Sequence, residues 1–241
     1  MAKIRIDKLM VERGITLNQA KAQAMIMAGE VSVEGKVVNK AGTTVTGEAR
    51  ITVAEPPPFV GRGGIKLDYA LDRFQLDVSS RVALDIGAST GGFTDCLLKR
   101  GAAKVYSLDV GYGQMDYGLR QDPRVVVMDR INARYPVNLP EKVDLITIDV
   151  SCISLEKIIP SVTGLLKEDG YIVALIKPQF EARKKEVPRG GVIKKPAVHA
   201  RVLGRFIRWV VEHDLRLRGL VASPITGASG NREFFILLNN K

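Results

Sequence analysis

Apolar positions in the first fifty residues recur at helical spacing and then shrink to runs of strand length. Ile6, Leu9, Met10 and Ile15 predict a short helix ending at Gly14, and the Ala-, Gln- and Met-rich stretch from Asn18 to Ala28 predicts a second, stopped by Gly29. Val31-Ser32-Val33, a Glu34-Gly35-Lys36 turn and Val37-Val38 predict a tight hairpin, and Arg50-Ile51-Thr52-Val53 a further strand. Pro56-Pro57-Pro58 then predicts a stiff extended spacer, because consecutive prolines favour the polyproline conformation. Gly61-Arg62-Gly63-Gly64 follows as loose, basic chain. The pattern divides the chain into a small α+β domain over residues 1–55, a Pro/Gly linker over 56–64 and a larger domain over 65–241.

Helical spacing returns from Ile65 to Phe74. Strand-length runs follow at Val82–Ile86, Val105–Asp109, Val125–Met128, Val143–Asp149, Tyr171–Ile176, Leu215–Val221 and Phe234–Leu238. Helical stretches separate most of them, notably Gly92–Arg100, Leu155–Leu166 and Pro196–His213. Such alternation predicts an α/β fold, a seven-stranded sheet with helices on both faces. The last two strands lack a long helix between them, which predicts an antiparallel hairpin at the sheet edge.

A hydrophobic fraction of 46% is enough for a sizeable core. The formal net charge of +10 favours a polyanionic partner, most often nucleic acid. Cys96 and Cys152 are too few and too isolated for a disulfide framework or a zinc site, so a reduced, cytoplasmic protein is expected, with no metal. Cys152 reads as a small buried residue. His199 and His213 show no metal pattern either. The charged amphipathic N-terminus has no secretory signature, and the longest apolar runs, Tyr171–Ile176 and Phe234–Leu238, are far short of a membrane span.

Candidate chemistry centres on the run from Val82 to Phe93. A strand carrying Asp85 meets the turn Gly87-Ala88-Ser89-Thr90-Gly91-Gly92, and a helix follows. That order builds a ligand pocket at the carboxyl end of a parallel strand, with free N–H groups at the helix start. The spacing D-x-G-x-x-x-G-G differs from the G-x-G-x-x-G of dinucleotide binders. Asp109-Val110 ends the next strand, where Asp109 can accept from ribose hydroxyls, and Asp129 ends the third, within reach of an adenine amino group. The set suits S-adenosylmethionine; an ordinary βα turn with an acidic cap is the competing reading. The stretch from Lys177 to Arg205 carries nine Lys/Arg against Glu181 and Glu186. Arg183, Lys184, Lys185, Arg189 and Lys194 are therefore candidates for RNA phosphates, with Arg62, Arg5 and Lys8, unless the loop is simply solvated.

Lys66 opens the first helix of the larger domain, Asp149 ends its fourth strand, Lys177 closes the fifth before Pro178, and Glu233 opens the last. Together they resemble the K-D-K-E set of ribose 2′-O-methyltransferases similar to the heat-shock RNA methylase (FtsJ-like) family. The N-terminal words Arg5-Ile6-Asp7-Lys8-Leu9-Met10-Val11-Glu12-Arg13-Gly14 and Ala28-Gly29-Glu30-Val31-Ser32-Val33-Glu34-Gly35 resemble the α-L RNA-binding domain, named after ribosomal protein S-four. Asn18-Gln19 stand where that family usually has Ser-Arg. Asp109-Val110-Gly111-Tyr112-Gly113-Gln114, Asp149-Val150-Ser151-Cys152-Ile153-Ser154, Lys177-Pro178-Gln179-Phe180 and Arg189-Gly190-Gly191-Val192 extend the resemblance to the TlyA (hemolysin A) family over nearly the whole chain.

The resemblance implies a Rossmann-like methyltransferase using S-adenosylmethionine, with a small α-L domain, acting on cytidine 2′-hydroxyls of ribosomal RNA or ribosomal subunits. It makes Lys66, Asp149, Lys177 and Glu233 the catalytic set, with Lys177 either taking the hydroxyl proton or orienting an oxygen lone pair. Two other classes remain in view. A pore-forming, hemolytic protein would need membrane-active segments that the pattern does not offer, and an idle RNA-binding protein on a methylase scaffold has no reason to keep four such residues.

Overall fold

The computed structural model describes residues 3–54 and 57–240; Met1, Ala2, Glu55, Pro56 and Lys241 lie outside the described residues, and with them part of the expected proline spacer. The chain forms two compact units that part between Pro57 and Pro58.

The first unit runs β1 (Lys3–Arg5), α1 (Ile6–Glu12), α2 (Gln19–Met27), β2 (Val31–Val33), β3 (Lys36–Val37), β4 (Thr44–Thr46) and β5 (Ile51–Val53). Strands β3-β2-β5 form one antiparallel sheet, and β1 pairs with β4 in a second. The β1–β4 pair was not expected, since three residues running straight into a helix carry no strand period. Ile6, Met10, Ala22, Ile26 and Val31 make the core. Asn18 caps α2, its side chain accepting from the Lys21 N–H at 2.9 Å. Buried Asp7 accepts from the Arg5 guanidinium at 2.7 and 3.1 Å and from Gln19 and Gln23 at 2.9 Å each. The Arg5 hydrogen bond holds the Asp7 carboxyl well below the usual range. Gln19 thus serves a buried carboxylate at the position where the resembled family carries arginine.

The second unit contains α3 (Arg62–Phe74), β6 (Val82–Ile86), α4 (Gly92–Lys99), β7 (Lys104–Asp109), α5 (Tyr117–Gln121), β8 (Val125–Asp129) and β9 (Val143–Ile148). It continues through α6 (Ile159–Val162), β10 (Leu166–Ile176), α7 (Pro178–Glu181), α8 (Pro196–Glu212), β11 (Leu215–Ala222) and β12 (Phe234–Asn240). The sheet order is β11-β12-β10-β9-β6-β7-β8, parallel from β10 to β8, with β12 antiparallel to both its neighbours. The expected edge hairpin is present, with β11 at the edge and β12 inserted beside β10. Alternate residues along each strand face opposite layers. Leu145, Val173 and Phe235 meet Leu67 and Leu71 of α3 and Phe93 and Leu97 of α4. Ile146, Ile172 and Ile236 meet Ile159 of α6 and Phe206 and Val210 of α8.

Two expected boundaries move. Helix α3 begins at Arg62, and the Val60 N–H donates to Asp95 at 2.8 Å while Lys99 donates to the Pro58 carbonyl at 2.7 Å. The end of the anticipated linker is therefore part of the second unit. Glycine is required there because α3 and α4 cross with their backbones close: a Cβ on Gly92 would lie 3.0 Å from the Gly64 nitrogen. The helix expected over Leu155–Leu166 is broken into a 3₁₀ turn at Leu155–Lys157, the short α6, and another turn at Thr163–Leu165. Pro160 fits only a helix start, and Gly164 disfavours any helical continuation beyond α6.

Candidate active site

The strand order reverses at β6, whose neighbours are β7 and β9, so a crevice opens at the carboxyl ends of these strands. Gly87 turns the chain out of β6 with φ +82°, and a side chain there would collide with the Asp149 carbonyl oxygen. Two connected hollows result. One, about 270 Å³, is lined by Gly87, Ser89, Asp109, Val110, Asp149 and Ser151 with apolar walls from Ile131, Ala133, Ile153 and Ile158. The other, about 150 Å³, lies against Gly61, Arg62, Ala88, Gly92 and Phe93 and shares Gly87, Ser89 and Asp149 with the first.

Asp109 is aimed by the backbone: its two carboxylate oxygens accept from the Ser89 N–H at 2.8 Å and the Gly111 N–H at 2.7 Å. A carboxylate so held keeps lone pairs for two hydroxyls, and the apolar walls beside it suit an adenine ring. The residues present fit S-adenosylmethionine. Losing a hydrogen bond to a charged group costs about 1.5–3 kcal/mol, so Asp109→Ala should weaken S-adenosylmethionine binding by roughly one to two decades. Calorimetry giving an unchanged affinity would remove Asp109 from the cofactor site.

Asp85 and Asp129 lie differently. Asp85 is fully buried below the turn, accepting from Thr94 Oγ1 at 2.7 Å and Thr147 Oγ1 at 2.9 Å, while Thr94 also contacts Ser107 Oγ at 2.8 Å. It ties α4, β7 and β9 together under the glycines and does not line the hollows. Burial, with a smaller push from Asp149, raises its carboxyl to about 7. The folded state then holds a proton that the unfolded state releases near pH 4, so stability from this group is present at low pH and lost as pH rises towards 7. Measured against Asp85→Asn, the wild-type unfolding free energy should fall over that window, by at most about 1.4 kcal/mol per pH unit. Parallel pH profiles of the two proteins would contradict the buried-acid account. Asp129 pairs with Arg120 at 3.1 Å and accepts from the Gly113 N–H at 3.2 Å; it too is absent from the lining. Gly91, at the N-terminus of α4 with φ +97°, shapes the turn from behind.

The four charged residues converge on the same sheet edge. Ile176 of β10 and Phe234 of β12 are register partners, so Lys177, just after one, and Glu233, just before the other, emerge side by side. Ala174 pairs with Ile148, which brings Asp149 to the same end. Lys66 reaches in from α3 and donates to Glu233 at 2.6 Å, both side chains being buried. Lys177 Nζ lies 2.6 Å from Asp149 Oδ1, an ion pair, and donates to Ser151 Oγ at 2.9 Å. Each lysine therefore has its own carboxylate.

Neighbouring loops are fastened to this edge by residues that the sequence pattern did not single out. Glu181 accepts from Ser154 Oγ at 2.6 Å and the Leu155 N–H at 2.8 Å, joining the loops after β9 and β10. Buried Asn231, two residues before Glu233, accepts from the Ile193 N–H at 2.9 Å and donates to the Gly191 carbonyl at 3.0 Å. Buried His199 meets the Ile193 carbonyl at 3.0 Å. Lone polar residues at such sequence separations leave no periodic trace. Cys152, expected to be buried, is exposed at φ +64° in the bent segment after β9, where Ile153 and Leu155 take the inward positions. Cys96 is buried, and burial pushes its thiol up to about 12.

Of the candidate RNA residues, Lys8, Arg62, Arg183, Lys184, Lys185, Arg189 and Lys194 lie at least partly open to solvent, and Arg62 donates to the Thr226 carbonyl at 2.5 Å. Arg5 is engaged with Asp7 but remains about half exposed. Among the described residues, no helix is long and apolar enough to cross a membrane.

A parallel sheet with an inserted antiparallel strand, a glycine turn at its switch point and an acidic residue at the end of the neighbouring strand defines a Rossmann-like methyltransferase. Residues 59–240 match the FtsJ-like methyltransferase family and residues 4–51 the S4 domain. The chain is 44% identical to YqxC of Bacillus subtilis (strain 168), a protein provisionally named as an rRNA methyltransferase, over 98% of this chain and 86% of that one. It is 42% identical to the 16S/23S rRNA (cytidine-2′-O)-methyltransferase TlyA of Mycobacterium tuberculosis, over 99% and 91%. A solved protein from Streptococcus thermophilus, provisionally named a hemolysin, superposes with a TM-score of 0.76 at 38% identity, covering all of this chain and 90% of that one. The chain belongs to the TlyA (hemolysin A) family of FtsJ-like methyltransferases.

Proposed function

We propose that this protein methylates cytidine 2′-hydroxyls of ribosomal RNA with S-adenosylmethionine, and that Lys66, Asp149, Lys177 and Glu233 form its catalytic set. The observation that carries the reading is the side-by-side emergence of Lys177 and Glu233 from β10 and β12, with Asp149 between Lys177 and the glycine turn. Relatives named as rRNA (cytidine-2′-O)-methyltransferases and a +10 charge support the substrate class.

The cofactor, when bound, supplies a methyl already activated on a sulfonium. Gly87, Ala88, Ser89, Gly91 and Gly92 hold or shape the methionine end, and Asp109 and Val110 the nucleoside end. What remains is to align a ribose oxygen with the methyl and to manage its proton. An ammonium held between the Asp149 carboxylate and Ser151 Oγ is a donor, so Lys177 is suited to grip the 2′-oxygen and turn a lone pair towards the methyl, while the hydroxyl proton passes to solvent as the oxygen–carbon bond forms. The Lys66–Glu233 pair stands beside it, Glu233 preceding the register partner of Ile176.

The test is transfer of labelled methyl from S-adenosylmethionine to ribosomal RNA by the purified protein, followed by digestion to nucleosides. Label in 2′-O-methylcytidine is the expected product. Label on a base, or RNA that binds without acquiring label, would reject the reading.

A further inference from the structure

A large hollow of the second unit, about 1380 Å³, lies away from the glycine turn, between the loop that follows α7 and the outer face of α8. Val198, Val202, Phe206 and Val210 turn one face of α8 into the core, which leaves Arg201, Arg205 and Arg208 along the other. Their spacing of four and three residues puts them on one stripe, with rises of about 6 and 4.5 Å between them. Arg183, Lys185, Lys194 and Lys195 line the opposite wall, and Val187, Pro188, Val192 and Ile193 supply an apolar floor. Seven cations thus face one acid, Glu186. That carboxylate accepts from Arg205 at 2.8 and 3.2 Å and from Arg201 at 3.3 Å, and so pins the loop to the helix. Among the described residues, no ion pair engages Lys195 or Arg208.

Both ends of the loop are fastened to the active edge. Its start follows Lys177 and is tied down by Glu181, and its end is held by Asn231 beside Glu233. Whatever occupies the groove therefore sits at a fixed offset from the reacting residues. That favours the substrate itself over an independent acidic protein.

We propose that this groove is a phosphate track for the RNA strand flanking the target nucleotide, with Lys195, Arg201, Arg205 and Arg208 as its contacts and Glu186 as an internal competitor for two of the arginines. The inference rests on the RNA-methyltransferase reading and adds a binding surface to it. Phosphates entering the track displace Glu186 from Arg201 and Arg205, whereas Lys195 and Arg208 are open from the outset.

The experiment is a salt titration of binding to a labelled single-stranded RNA of mixed sequence, using the full chain. Each phosphate contact to a single strand contributes about 0.7 to the slope of log affinity against log salt. Lys195→Gln/Arg208→Gln should flatten that slope by about 1.4, with S-adenosylmethionine affinity and thermal unfolding unchanged. Glu186→Gln should steepen it and tighten binding. Unchanged slopes in both proteins would overturn the track. Polyglutamate that displaces RNA from wild type, and loses that ability in the double variant, would assign the groove to an acidic protein instead. Methyl transfer by wild type is measured alongside. Altered slopes without any transfer would discard the reaction and keep the groove, and normal transfer with unaltered slopes would discard the groove alone.

Discussion

Lys177→Ala is expected to lower methyl transfer by roughly 10²–10⁴-fold while leaving the affinities for S-adenosylmethionine and RNA close to wild type. The ammonium pairs with Asp149 at 2.6 Å and donates to Ser151 Oγ at 2.9 Å, at the end of β10. On the proposed mechanism, removing it takes away the group that grips the 2′-oxygen and keeps every residue assigned to the cofactor. Lys177→Arg separates the two versions of its role, because arginine can donate to the oxygen but cannot accept its proton at working pH. The pairing with Asp149 favours the orienting version, so Lys177→Arg should retain measurable transfer, reduced by the altered reach. Complete loss in Lys177→Arg, with both ligands still bound, would shift the role to proton removal. Near-normal turnover by Lys177→Ala would sink the assignment of Lys177 altogether.

Glu233→Ala should destabilise the fold by about 3–5 kcal/mol, because it leaves the Lys66 ammonium buried without its carboxylate. The two side chains are 9% and 3% exposed, too little for water to replace the lost partner. Lys66→Met/Glu233→Leu should recover most of that loss, since a buried ion pair replaced by apolar residues of similar volume is often neutral or stabilising. Yet the recovered protein should be inactive. Urea unfolding measures the first effect, and methyl transfer by the double variant measures the second. A single variant within about 1 kcal/mol of wild type would show that the pair is not buried in the working protein. An active double variant would show that it serves only the fold.

The sheet was legible because its strands are largely apolar runs, as strands covered on both faces are: Val82–Ile86 to Tyr171–Ile176 in the parallel part, and Phe234–Leu238 in antiparallel β12. The glycine turn and the acidic end of β7 were legible for a related reason, since only a few residue types tolerate those positions. Other features depend on contacts distant in sequence. Gly61–Gly64 read as a loose linker, but Gly64 is buried where α3 crosses α4. Asp85 read as a cofactor ligand because it precedes the glycines, and only the packing reveals Thr94 and Thr147 closed around it. Asp129 read as an adenine partner because it ends β8, and its pairing with Arg120 depends on a helix nine residues back in the chain. Cys152 was placed inside from its residue type, although the bend after β9 turns it out. The arginine stripe of α8 was hidden within an ordinary amphipathic helix, whose polar face gained meaning once the basic loop lay opposite.

The claim that the paired lysines and carboxylates move a methyl to a ribose oxygen is tested most directly by mapping 2′-O-methyl groups along ribosomal RNA. The RNA should come from cells that have the wild-type protein, lack it, or carry Lys177→Ala. The account predicts at least one cytidine methylated on its 2′-oxygen in the first cells and unmethylated in the other two. Identical maps in all three would contradict it.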